Sequence, residues 1–210
     1  MNTHRALRGA AALAAVVLLP LGLTACSDDG DDSGSKGDSS PSADRQKQNK
    51  AADKPFGPGC ASVPKNGKGS FDGMAEDPVA TAASNNPALS TLVGAVKKAG
   101  LVDTLNSAEN ITVFAPTNDA FDKVPKKDLD ALMKDKAALK KVLTYHVVGE
   151  PLTPKKLEKG SYPTLAKSSL TTAGSGTSYQ VNGNSSVVCG DVKTSNATVY
   201  LVDTVLMPKS

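Results

Sequence analysis

The chain has 210 residues, 39% of them hydrophobic, enough for one domain with a sizeable core and room for a tail. Its formal charge of +3 falls to +1 once a leader carrying Arg5 and Arg8 is removed, so the charge gives no case for nucleic-acid binding.

Residues 1–26 fall into a cationic start (His4, Arg5, Arg8), an apolar run from Ala10 to Leu23, and the tetrad Leu23-Thr24-Ala25-Cys26. This three-part pattern predicts an export signal over 1–25. The apolar run is broken by Pro20 and Gly22 and is shorter than the roughly 20 residues that span hydrocarbon, so no lasting transmembrane helix is expected. The tetrad resembles a bacterial lipobox, which implies cleavage after Ala25, lipidation of Cys26 and membrane attachment through that acylated residue. Residues 26–56 form a polar, partly acidic linker that cannot bury enough surface to order itself. Its reach as a flexible coil is on the order of 30 Å. The cluster Asp28, Asp29, Asp31 and Asp32 reads as solvated spacer. With Cys26 acylated, Cys60 and Cys189 remain as an even pair in an exported protein, where a disulfide persists; two buried free thiols are the alternative.

The folded part is expected over 57–210. Asp77-Pro78 predicts a helix start, with Asp77 as cap, before Val79-Ala80-Thr81-Ala82-Ala83. Asn86-Pro87 repeats the device. There Leu89, Leu92, Val93 and Val96 make a helical apolar stripe that ends with Lys97, Lys98 and Gly100. Ile111 to Ala115 is a strand stopped by Pro116, and Thr117 then caps a helix carrying Asp119 and Phe121. Leu129, Leu132 and Met133 mark another helical piece. The next, capped by Asp135, places Leu139, Val142, Leu143 and His146 on one face.

Beyond Gly149 the composition shifts to strands. Asn182-Gly183 predicts a hairpin turn, Val187 to Lys193 a strand pair around Gly190, and Ala197 to Met207 one long strand, apolar on both faces and hence central. Helices gather early and strands late, so the class is α+β with a largely antiparallel sheet.

Three segments together resemble the fasciclin signature: Thr112-Val113-Phe114-Ala115-Pro116-Thr117-Asn118-Asp119-Ala120-Phe121, Leu143-Thr144-Tyr145-His146-Val147-Val148, and the run from Ala197 to Asp203 and Pro208. The resemblance covers about residues 75–208. Gly57-Pro58-Gly59-Cys60, the stretch from Met74 to Ala80, and Val187-Val188-Cys189-Gly190 also resemble the single-domain bacterial fasciclin lipoproteins and fasciclin antigens of mycobacteria. The resemblance implies a bent β-sandwich wedge packed against helices, a Cys60–Cys189 bridge, and adhesion to a cell-surface, wall or matrix protein or glycan. It implies no cofactor. A monomer at the outer face of the bacterial cell membrane is expected.

The residues that tempt a chemical reading have structural readings beside them. His146 lies on an apolar stripe and is the only histidine left after signal removal, so a hydrogen-bonded core histidine is expected. One histidine, with the thiols in a disulfide, also rules out a zinc cluster. No Gly-x-Ser-x-Gly elbow accompanies a triad, and Asn66-Gly67-Lys68-Gly69-Ser70 is a loop rather than a phosphate cradle. Asp119 and Asp203 are expected to cap a helix and to hold a hydrogen bond. The sequons at Asn110, Asn184 and Asn196 carry little weight beside a bacterial lipobox. The expected function is therefore a non-catalytic, membrane-anchored binding domain. The alternative is a carrier or sensor holding a small hydrophobic ligand in a cleft of a few hundred cubic ångströms between wedge and helices.

Overall fold

A computed structural model describes residues 54–208. Cys26, the leader and all but the last three residues of the linker lie outside the described residues.

The amino-terminal half is helical. A 3₁₀ turn, Pro58–Ser62, leads to α1 (Phe71–Glu76), whose first turn is held by the Ser70 hydroxyl accepting from Gly73 N–H at 3.2 Å. Helix α2 (Val79–Ser84) is not capped by Asp77 as expected. Extended Pro78 takes the cap position, which leaves Asp77 one residue too early, and its carboxylate accepts instead from Asn85 Nδ2 at 3.1 Å. The orphan donors Val79 N–H and Ala80 N–H go to Asn196 Oδ1 and Asn106 Oδ1, at 2.8 and 2.9 Å. Helix α3 (Ser90–Ala99) buries Leu92, Ala95, Val96 and Ala99 and stops at Gly100, whose φ of +69° suits a residue without a Cβ. Helix α4 (Val102–Ser107) follows.

Strand β1 (Ile111–Pro116) is buried throughout. Thr117 caps α5 (Asn118–Asp122) through its hydroxyl, 3.4 Å from Ala120 N–H. Helix α6 (Lys126–Lys134) buries no residue fully, but Leu129, Leu132 and Met133 rest on the core. Asp135 Oδ1 accepts from Ala137 and Ala138 N–H and starts α7 (Lys136–Tyr145), as its sequence predicts.

The remaining elements are β2 (Val147–Val148), α8 (Pro154–Leu157), β3 (Lys159–Pro163), β4 (Ser169–Ser175), β5 (Ser178–Val181), β6 (Ser185–Lys193) and β7 (Ala197–Val202). The strands run in the order β2-β1-β7-β6-β5-β4-β3, with β1 and β7 parallel and every other neighbour antiparallel. A bridge from Val148 to Thr164 ties the β2 edge towards the end of β3, so the sheet folds into a nearly closed wedge.

Two expectations along these strands need correction. Asn182 and Gly183, with φ of +54° and +72°, make the predicted turn, closed by Asn184 N–H donating to Val181 O at 3.3 Å. Gly190, however, is no second turn. It lies in an irregular stretch of the single strand β6, where Phe56 pairs with it in both directions, N to O, at 3.1 and 2.8 Å. The Phe56 ring occupies the space a Cβ would need. Strand β7, central as predicted, ends at Val202 rather than Met207, because Asp203 turns the chain by accepting Ser186 N–H at 2.8 Å.

Alternation along the central strands builds two cores. Val113, Val199 and Leu201 face the helices and meet Leu92, Val96, Leu139 and Leu143; Phe114, Tyr200 and Val202 face into the wedge with Val181, Leu170 and Leu206. Phe114 and Tyr200 stack with centroids 5.7 Å apart. Each of these fully buried side chains contributes roughly 1.5–3 kcal/mol. Cys60 and Cys189 are bonded, Cα to Cα 4.8 Å across 129 residues of sequence, which settles the choice against free thiols. The bond pins the Pro58–Ser62 turn to β6.

Candidate functional site at the signature segments

The signature residues divide by where their side chains go. Thr112 is wholly buried, and its hydroxyl donates to Glu150 O and accepts from Leu152 N–H, both at 2.8 Å. It therefore anchors the loop that follows β2. Tyr145 turns into the wedge, donating to Ser169 O at 3.0 Å and accepting from Asn182 Nδ2 at 3.0 Å. Tyr200, on β7, donates to Leu152 O at 2.7 Å, and burial first, with Asp191 adding, raises its phenol above the ordinary value.

His146 follows directly on α7 and is 2% exposed. Leu206 N–H donates to Nε2 at 2.9 Å, so Nε2 carries no proton and Nδ1 must be the protonated nitrogen, donating to Val142 O at 2.8 Å. Burial lowers its pKa to about 4, against the opposing pull of the Val142 bond, and the ring stays neutral at ordinary pH. Both nitrogens are committed to backbone groups, and neither reaches a nucleophile. Tyr145 and His146, adjacent in sequence, thus serve opposite cores.

Phe121 is buried among the helices and Pro116 closes β1. Thr117, Asp119 and Asp203, by contrast, converge on the outside. With Asn118, Lys123, Gly59, Ser62 and Val188 they line an open groove of about 460 Å³, bordered by the disulfide-pinned turn. Asp203 Oδ2 meets Lys123 Nζ at 3.0 Å while Oδ1 accepts from Ser186 N–H and from Thr204 Oγ1, at 3.1 Å. Burial works to raise the Asp203 pKa, but the bonds from Ser186, Lys123 and Thr204 outweigh it and hold the carboxyl below its usual range. Asp119 is exposed on the first turn of α5 and, contrary to expectation, is not its cap, which Thr117 supplies two residues earlier. Pro208 is partly buried just past the last turn.

The groove offers carboxylates, an ammonium and hydroxyls to a ligand, but no arrangement for covalent chemistry. Among the described residues no three or more histidine, cysteine or carboxylate side chains come together in a way that could hold a metal ion. The helix–sheet interface contains a void of about 50 Å³ lined by Leu92, Val96, Val113, Leu143 and His146. Such a void is far below the roughly 300–1,000 Å³ of small-molecule sites, so it does not supply the cleft a hydrophobic carrier would need.

Sequence reasoning overlooked the asparagines. Asn196, read only as a sequon, accepts from Val79 N–H and donates through Nδ2 to Leu105, Asn106 and Ala108 carbonyls at 2.8, 3.2 and 2.6 Å. Asn118 does the same between α5 and the start of α3, accepting from Thr91 N–H and donating to Pro87 O at 3.0 and 2.9 Å. The partners lie tens of residues away, and nothing local marks them.

Known proteins agree with this architecture. The fasciclin domain profile matches residues 87–208. The cell surface glycolipoprotein MPT83 of Mycobacterium tuberculosis is 50% identical over 161 residues, 73% of this chain and 72% of that protein. The immunogenic protein MPB70 of Mycobacterium bovis is 49% identical over 160 residues, 72% of this chain and 81% of the relative. Protein sll1483 of Synechocystis is 39% identical over 128 residues, 60% and 71% of the two chains. Among solved structures, a FAS1 domain pair from the insect cell adhesion molecule fasciclin I superposes with a TM-score of 0.53 at 19% identity. That match covers 64% of this chain and 52% of the other, and shows likeness of fold alone. Two cores divided by a central β7, the signature segments that build them, and relatives at half identity over most of the chain place this protein in the fasciclin domain family.

Proposed function

We propose that the chain is an exported lipoprotein, acylated on Cys26, whose linker presents a monomeric, non-catalytic fasciclin domain to a cell-surface, wall or matrix partner. The observation that carries this reading is the spending of the signature's buried polar groups on backbone partners: Thr112, Tyr145 and His146 hold loops and strands together and have nothing left for a substrate. Recognition is then left to the outer surface, where Asp119, Lys123 and Asp203 edge an open groove. The relatives named as a cell surface glycolipoprotein and as an immunogenic protein support a surface location. A lipobox-like tetrad and a three-part leader support the anchor.

Mass spectrometry of the membrane fraction tests the anchor: a diacylglyceryl-modified chain beginning at Cys26 is expected, and an unmodified chain starting elsewhere overturns it. Saturable binding of the purified protein to intact cells or matrix material, reduced by substitution of Asp119 or Lys123, tests the recognition role. Absence of such binding, with unchanged adhesion in a deletion strain, would end this reading.

A further inference from the structure

Past β7 the chain continues through residues 203–208, outside any helix or strand. Val205 and Leu206 are nonetheless buried, and they enter different cores: Val205 packs on the helix side and Leu206 inside the wedge. Met207, the next residue, is exposed. We propose that His146 is an acid-sensitive latch for residues 204–208: a proton taken up at Nε2 releases this carboxy-terminal segment while the sheet stays folded.

The latch follows from what surrounds the ring. Nε2 of the neutral imidazole accepts Leu206 N–H at 2.9 Å, and among the described residues that is the only hydrogen bond past Thr204. Protonation moves one proton from water to Nε2 and turns the acceptor into a donor, so two N–H groups then oppose each other. A tautomer shift gives no relief, because Nδ1 already donates to Val142 O at 2.8 Å. The new charge also meets no counter-ion. The ionisable groups on the surrounding helices are Asp72 and Glu76 on α1, Lys97 and Lys98 on α3, Asp103 on α4, Asp119 and Asp122 on α5, and Lys140 and Lys141 on α7, all exposed. Strands β1 and β2 carry none. Asp191 on β6 pairs with Lys193, Asp203 with Lys123, and Glu150 beyond β2 with Lys156, while Tyr145 and Tyr200 lie in the wedge core.

The segment can leave without dismantling the sheet. Strand β7 ends at Val202 and is held by β1 on one side and β6 on the other, so nothing past Thr204 contributes a strand pair. Ser185 Oγ donates to Thr204 O at 2.9 Å and Asp203 N–H to Ser186 O at 3.1 Å, which places the hinge there. A segment with so few backbone bonds opens at a lower free energy than the domain as a whole. Opened, the ring meets water and takes a proton near the ordinary 6.5; closed, it resists until about 4. The open form therefore binds more protons between these values, and opening is rarest above 6.5 and grows more frequent as the pH falls towards 4. Release brings Val205 and Leu206 out beside Met207 as one exposed apolar run.

The experiment is amide hydrogen exchange followed by NMR on the full chain from pH 6 to pH 4, each rate corrected for its intrinsic pH dependence. Over that range the Leu206 amide should lose protection by about tenfold or more, while the Phe114 and Leu201 amides of β1 and β7 keep theirs. His146→Gln retains a side-chain acceptor for Leu206 N–H but takes up no proton, so its Leu206 protection should change by less than about threefold. Asp203→Asn removes the one carboxylate in residues 203–208 and should keep the acid response. Leu206 protection that is constant down to pH 4, or that falls together with that of Phe114 and Leu201, overturns the latch. So does an undiminished response in His146→Gln, or its loss in Asp203→Asn, which would assign the release to that carboxylate instead. If His146→Gln does not fold, the order in which Leu206, Phe114 and Leu201 lose protection in the unaltered chain still decides the matter.

Discussion

Inside the fold, Thr112, Tyr145 and His146 are at most 3% exposed and bind backbone groups of distant segments; on the outside, Asp119, Lys123 and Asp203 border a groove open to solvent. Both sets belong to or flank the same signature segments, yet they face different energetics. A buried polar group left without its partner costs about 1–3 kcal/mol, whereas an exposed ion pair is worth about 0–1 kcal/mol. The inner set therefore acts as framework, and its residue types are dictated by hydrogen-bond geometry. In the outer set Asp203 still holds Ser186 N–H, so only the exposed Asp119 and Lys123 are free of such a constraint.

The largest effect tests the frame itself. Reducing the Cys60–Cys189 bond, which closes a loop of 129 residues, should lower the free energy of unfolding by roughly 3–5 kcal/mol in denaturant titrations. It should leave the helix-side core folded. Next comes acid. The unfolded chain protonates histidine near 6.5 while His146 in the fold resists until about 4, so between these values the unfolded state binds more protons. The His146 contribution is complete above about 6.5 and is lost as the pH falls towards 4, a change of roughly 3 kcal/mol that the His146→Gln variant should largely lack. Urea midpoints measured across that range check it.

Thr112→Val keeps the shape but orphans Leu152 N–H and Glu150 O, and should cost about 1–3 kcal/mol. Lys123→Ala removes only the half-exposed partner of Asp203 and should cost less than about 1 kcal/mol while changing cell binding if the outer groove is used. A large loss of stability in Lys123→Ala, or none in Thr112→Val, would erase the distinction between the two sets.

The same division explains what was legible in the sequence. Periodicity and turn chemistry act over a few residues, so the helix ending at Gly100, the Asp135 cap, the Asn182-Gly183 turn and the two faces of β7 could be read directly. His146 was readable as a core histidine because its helical stripe is apolar on every other position. What failed depended on distant partners. Gly190 looks like a turn until Phe56 is seen pressing on it from 134 positions earlier in the chain, and the α2 start looks capped by Asp77 until Asn196 supplies the acceptor. The groove gathers side chains from at least three separate segments, and no local pattern announces it.

The direct test is the side-chain NMR titration of His146, which shares the chain with one other histidine, His4. A neutral ring with its proton on Nδ1, persisting through pH 5 and titrating near 4, is the predicted result. Titration near 6.5, or a proton on Nε2, would contradict the assignment of the signature histidine to the framework.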